Sequence, residues 1–156
     1  MIFENNETFK NSIASISSDI AKIKEESKLY SETFSNDIRM GLISFGKRKT
    51  KKDIEEGYYL FVASLSKTFS SIEGSITVIF NKISKNDPNK ELEETAFCDG
   101  LLTQYNNLRI GFSDFIEKCE FHISDKTSDI SENVIYRYLT EFQTKIQLFS
   151  NYISSI

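Results

Sequence analysis

Residues 9–34 read FKNSIASISSDIAKIKEESKLYSETF, and their apolar side chains recur at Phe9, Ile13, Ile16, Ile20, Ile23, Tyr30 and Phe34. The steps alternate between four and three, with Ser27 at the one skipped position. Only an α-helix gathers residues three and four apart onto one stripe, because each residue turns by about 100° from the last. The spacing returns three more times. A second stripe runs through Ile54, Tyr58, Phe61, Leu65, Phe69, Ile72, Ile76, Ile79 and Ile83. A third runs through Phe97, Leu101, Leu108, Phe112, Phe115, Cys119 and His122, and is less regular around Gln104 and Tyr105. The last comprises Ile130, Val134, Tyr138, Phe142, Ile146, Phe149, Ile153 and Ile156.

The punctuation between stripes sets the expected boundaries. The first helix is expected over about 6–45, its seam continuing through Ile38, Leu42 and Phe45 to Gly46, which suits a left-handed helix end. Thr50 and Asp53 fit a capping box that opens a second helix over about 51–85. Asp87 suits an N-cap and Pro88 the first helical position, where the missing N–H costs nothing, so a third helix is expected over 88–123. The polar gap Ser124 to Ser128, followed by the box-like pair Asp129 and Glu132, suggests a fourth over 129–156. One continuous helix through the gap is the alternative. Short connections force consecutive helices antiparallel. The expected fold is therefore all-α: four long antiparallel helices in an up-down-up-down bundle, one domain over residues 1–156.

Composition agrees. The chain has 156 residues, enough for one domain with a real core. One Pro and six Gly leave few places to turn, and thirteen Phe without Trp make the core Phe- and Ile-rich. The charged first ten residues lack an apolar run, so no secretory signal is expected. Uncharged stretches such as Gly57 to Ser66 fall far short of the roughly 20 residues of a membrane span. A soluble, cytoplasmic protein is the expectation.

Net charge is −4, yet Lys47, Arg48, Lys49, Lys51 and Lys52 crowd into one turn. This basic run reads either as a solvated loop or as a contact for an anionic partner or membrane surface. An acidic body with one basic spot does not suit a general nucleic-acid binder. Gly41 to Lys47 matches the opening of a phosphate-binding P-loop, but Arg48 stands where Ser or Thr must bind magnesium, and a helical stripe stands where a strand should lead in.

His122 is the only histidine, which disposes of most metal centres and the usual triads. Cys119 with His122 supplies at most two ligands per chain; the plainer reading is a core thiol beside a helix-end imidazole. Cys98 and Cys119 on one helix lie about 30 Å apart, beyond the roughly 7 Å a disulfide allows. They read as buried thiols of a reducing compartment. Glu25/Glu26, Glu55/Glu56 and Glu93/Glu94 are adjacent pairs that splay over polar arcs, and they read as solvated surface rather than convergent acid–base groups. No catalytic, cofactor or metal residue is assigned.

What remains is an apolar excess. Tyr58-Tyr59-Leu60-Phe61-Val62 covers more than one helix face, and Val78-Ile79-Phe80 repeats this further along. The surplus at Tyr58, Tyr59, Leu60, Val62, Val78 and Phe80 either packs inside the bundle or meets a partner. The leading expectation is a non-enzymatic protein-interaction module of inhibitor or immunity, adaptor or chaperone type, meeting another protein or a second copy of itself. The alternative is binding of an anionic partner or membrane surface through residues 47–52.

Overall fold

The computed structural model describes residues 6–34, 51–124 and 132–156. They form four helices: α1 (Glu7–Glu32), α2 (Lys51–Asn81), α3 (Pro88–Ser124) and α4 (Glu132–Ser154). Cross-contacts set the directions. Along α1–α2, Glu26 meets Ser64, Asp19 meets Ser71 and Ser15 meets Ser75, so one number falls as the other rises. The same holds for α2 and α3, where Tyr58 meets Ile116 and Phe69 meets Tyr105. On α3 and α4, His122 meets Tyr138 while Tyr105 meets Phe149. Phe34 against Tyr136 and Ser27 against Gln143 close the ring between α1 and α4. The bundle is antiparallel, up-down-up-down, as expected, although residues 33–50 between α1 and α2 are not the short connection on which that expectation rested. The separation of α3 from α4 also removes the continuous-helix alternative, since the two lie side by side.

Local chemistry accounts for the ends. Asn6 caps α1 with its side-chain oxygen, 3.2 Å from the Phe9 N–H. The Asp87 carboxylate accepts from the Asn89 and Lys90 N–H groups ahead of Pro88. The first helix stops at Glu32, well short of the expected end near Phe45. Thr33 and Phe34 donate their N–H groups to Tyr30 and Ser31, three residues back, which tightens the last turn. The Thr33 hydroxyl, 2.6 Å from the Tyr30 carbonyl, takes the place of further helix. This turn leaves Phe34 buried against Tyr136 of α4. Instead of a ~60 Å rod, α1 is about 39 Å long. Ile38, Leu42, Phe45, Gly46 and the Thr50 cap lie outside the described residues, as does the Asp129/Glu132 pair in its capping role.

The core follows the four-three rule more strictly than the apolar letters do. In α2 it takes Ile54, Tyr58, Phe61, Leu65, Phe69, Ile72, Ile76 and Ile79, as expected. In α3 the buried series is Glu94, Cys98, Leu101, Tyr105, Leu108, Phe112, Phe115 and Cys119. It is unbroken, because a carboxylate and a phenol hold two of its places, while Phe97 moves to the flank. In α4 the series is Ile135, Leu139, Phe142, Ile146, Phe149 and Ile153. Val134 and Tyr138, expected on the seam, sit beside it: repeated steps of four drift about 40° each off a helix face. Phe115 stacks on Phe142 at 5.7 Å, with Phe112 and Phe61 around them.

Candidate functional site

The five-residue run of α2 fans out around the helix. Tyr58 is fully buried, so it is core and not a partner contact; its hydroxyl donates to the Ile116 carbonyl at 3.3 Å. Burial pushes that phenol's pKa up. Phe61 is also core, and Val62 packs partly against it. Tyr59 is 51% exposed, its ring edge-on to Tyr58, and Leu60 is 73% exposed. Of the second group, Val78 is exposed and Phe80 packs against the core. The contact residues expected from sequence thus reduce to Tyr59, Leu60 and Val78.

Leu60 gains a partner that the sequence reading passed over. Leu29, the only large aliphatic off the stripe of α1, is 53% exposed, and with Leu60 it lines a groove of about 430 Å³ between α1 and α2. Tyr30 and Phe61, stacked at 4.3 Å, line its wall together with Ile54. Glu26 stands at one end, its carboxylate accepting the Ser64 hydroxyl at 2.9 Å. The off-stripe position of Leu29 was the available signal. Its meaning required knowing which helix lies alongside.

Lys47, Arg48 and Lys49 of the basic run, and the P-loop-like Gly41 to Lys47, lie outside the described residues. Lys51 and Lys52 are exposed on the first turn of α2, where Lys52 pairs with Glu56 at 3.8 Å. Exposed pairs of this kind contribute little.

Cys119 is buried and His122 is turned toward the Tyr138 hydroxyl, 3.3 Å away. Burial, with Glu120 nearby, pushes the Cys119 thiol up to about 12, and burial with Glu94 and Asp99 nearby pushes Cys98 to about 11. Both thiols are free. Protonated, core-facing sulfur is a poor nucleophile and a poor ligand. Among the described residues, no group of three or more His, Cys, Asp and Glu comes together to hold a metal ion. No described helix is long and apolar enough to cross a membrane.

Two acidic residues expected at the surface are structural. Glu94 is fully buried, accepting the Ser84 N–H at 3.1 Å and the Ser84 hydroxyl at 3.0 Å. It belongs to the seam, and Ser84, in the connection between α2 and α3, supplies the donors a buried carboxylate needs. Glu26 is half-buried by its bond to Ser64. A further cluster joins α2 to α3: Glu73 accepts the Tyr105 hydroxyl at 2.8 Å and pairs with Arg109 at 3.6 Å. The Arg109 guanidinium also lies 5.0 Å over the Phe69 ring. These contacts tie α2 to α3.

With this geometry in hand, comparison with known protein families, curated proteins and solved structures finds no match. The chain is a four-helix bundle, a class that many unrelated functions share. Its function has to be argued from its own side chains.

Proposed function

We propose that this chain is a non-enzymatic, cytoplasmic protein-interaction module that receives a partner's apolar side chains on the exposed surface of α1 and α2. The observation carrying this reading is the groove between them, with Leu29 and Leu60 more than half exposed on either side of an aromatic wall. The core seam of both helices is complete without these two side chains, so packing does not account for them. Burying two leucines in a partner contributes about 3–6 kcal/mol before association costs. Two buried, unpaired thiols support a reducing compartment.

The test is affinity capture from the native cell with three baits. A partner retained by the wild type and by the surface control Leu148→Ser, but lost from Leu29→Ser/Leu60→Ser, supports the reading. A captured set identical for all three baits overturns it.

A further inference from the structure

Ser27 stands where the four-three spacing of α1 calls for an apolar side chain, and it is only 1% exposed. Among the described residues its hydroxyl has no hydrogen-bond partner, which is costly at a buried position. Ser27 lines a groove of about 440 Å³ between α1 and α4, which shares no residue with the groove between α1 and α2. The walls of this second groove are polar. Lys24 and Lys28, one turn apart, stand on the α1 side with Glu25; Gln143 and Gln147, also one turn apart, stand on the α4 side. The Gln143 amide donates to the Ser27 carbonyl at 3.3 Å. Because the two helices are antiparallel, that contact sets Lys28 about level with Gln143 and Lys24 about level with Gln147, with Ser27 on the floor between them.

Both lysines are exposed, and neither is in an ion pair among the described residues. With Glu25 the charged lining sums to +1, two ammonium groups less one carboxylate, which a single carboxylate balances. Each glutamine spends a donor on the protein, Gln143 on the Ser27 carbonyl and Gln147 on Asn151 Oδ1 at 2.8 Å, and keeps its carboxamide oxygen as an acceptor. A ligand that suits the groove therefore carries one carboxylate for the lysines and O–H or N–H donors for the amides. A ligand ammonium would meet two others, so the donors are hydroxyls. We propose that the α1–α4 groove binds a small hydroxylated carboxylate, with the Ser27 hydroxyl donating to one of its oxygens. The Gln143 carboxamide, a neighbour of that hydroxyl, turns aside as the ligand oxygen reaches it. The unsatisfied hydroxyl weakens the free bundle and gains its partner only in the complex.

An amide NMR titration of the full chain with sodium gluconate, up to about 50 mM at constant ionic strength, tests it. Saturable shifts centred on residues 24–28 and 143–147 are expected, with a Kd in the millimolar range for so small a ligand. Glucose, which has the hydroxyls without the carboxylate, should bind at least about tenfold more weakly. Ser27→Ala should weaken gluconate binding about fivefold, and Lys24→Gln/Lys28→Gln about tenfold. Circular dichroism and thermal unfolding of each variant check that the bundle is intact; Ser27→Ala keeps the bond from Gln143 to the backbone. Failure to saturate, shifts centred elsewhere, glucose bound as well as gluconate, or unchanged binding by Ser27→Ala each overturns the inference. The partner-capture experiment is independent of all these outcomes, since Leu29 and Leu60 belong to the other side of α1.

Discussion

At Glu94 a carboxylate takes a place in α3 where the four-three spacing calls for an aliphatic side chain. Its two bonds to Ser84 pin the α2–α3 connection to the start of α3. Glu94→Ala leaves the Ser84 N–H and hydroxyl without their acceptor, and is expected to cost about 1–3 kcal/mol in urea unfolding. Ser27 is the converse case. It is buried, and its hydroxyl has no hydrogen-bond partner, while its carbonyl accepts from Gln143. Ser27→Ala keeps the carbonyl bond and removes the orphan, so stability should be unchanged or rise by about 1 kcal/mol. Composition cannot separate these two residues. Both are polar letters in a seam, and only the facing groups distinguish a satisfied one from an unsatisfied one.

At the scale of the element, glycine positions separate helix propensity from packing. Gly57 lies within α2 with nothing within 4 Å of an added Cβ. Gly57→Ala is therefore expected to stabilise by about 0.5–1 kcal/mol. Gly111 lies within α3, where an added Cβ would come 2.8 Å from Lys145 Cγ and 3.1 Å from its Cβ. Those atoms sit near the α4 backbone and cannot swing away as a side-chain tip would. The helices must part, so Gly111→Ala should gain nothing from propensity and lose about 1–2 kcal/mol. Thermal unfolding of the two variants side by side checks the contrast. The α3–α4 contact also explains the misplaced start of the last stripe. Val134 and Tyr138 are apolar and correctly spaced from each other, but the seam that meets α3 and α1 runs through Ile135 and Leu139.

For the whole molecule, the single core carries groups whose charged forms it excludes. Burial raises the pKa of Cys98, Cys119, Tyr58 and Tyr105 above their ordinary values. The folded state therefore holds these protons more tightly than the unfolded chain does. Their contribution to stability is complete below the ordinary thiol value of 9.0 and is lost as pH rises toward about 11 for Cys98 and about 12 for Cys119. Urea midpoints should be flat through neutral pH and fall steadily above it on the alkaline side. The same burial predicts that a disulfide exchange reagent finds no reactive thiol in the native protein at mildly alkaline pH, and two after unfolding in denaturant. Fast labelling of either thiol without denaturant would contradict the core placement.

The helical fold and most of its core were legible from the residues alone, because a period of 3.6 is a local property: each apolar residue declares its face through its neighbours on the same helix. The capping chemistry at Asp87-Pro88 was legible for the same reason. The sites were not. Tyr58 and Leu60 are two letters of one apolar run, and their opposite fates depend on which side of α2 meets α1 and α3. Leu29 became part of a groove because an antiparallel α2 brings Leu60 alongside it, and Glu94 became core because the α2–α3 connection brings the Ser84 donors to it. Sequence determined which residues share a helix face; tertiary structure decided what each face meets, since burial and pairing are relations between segments distant along the chain.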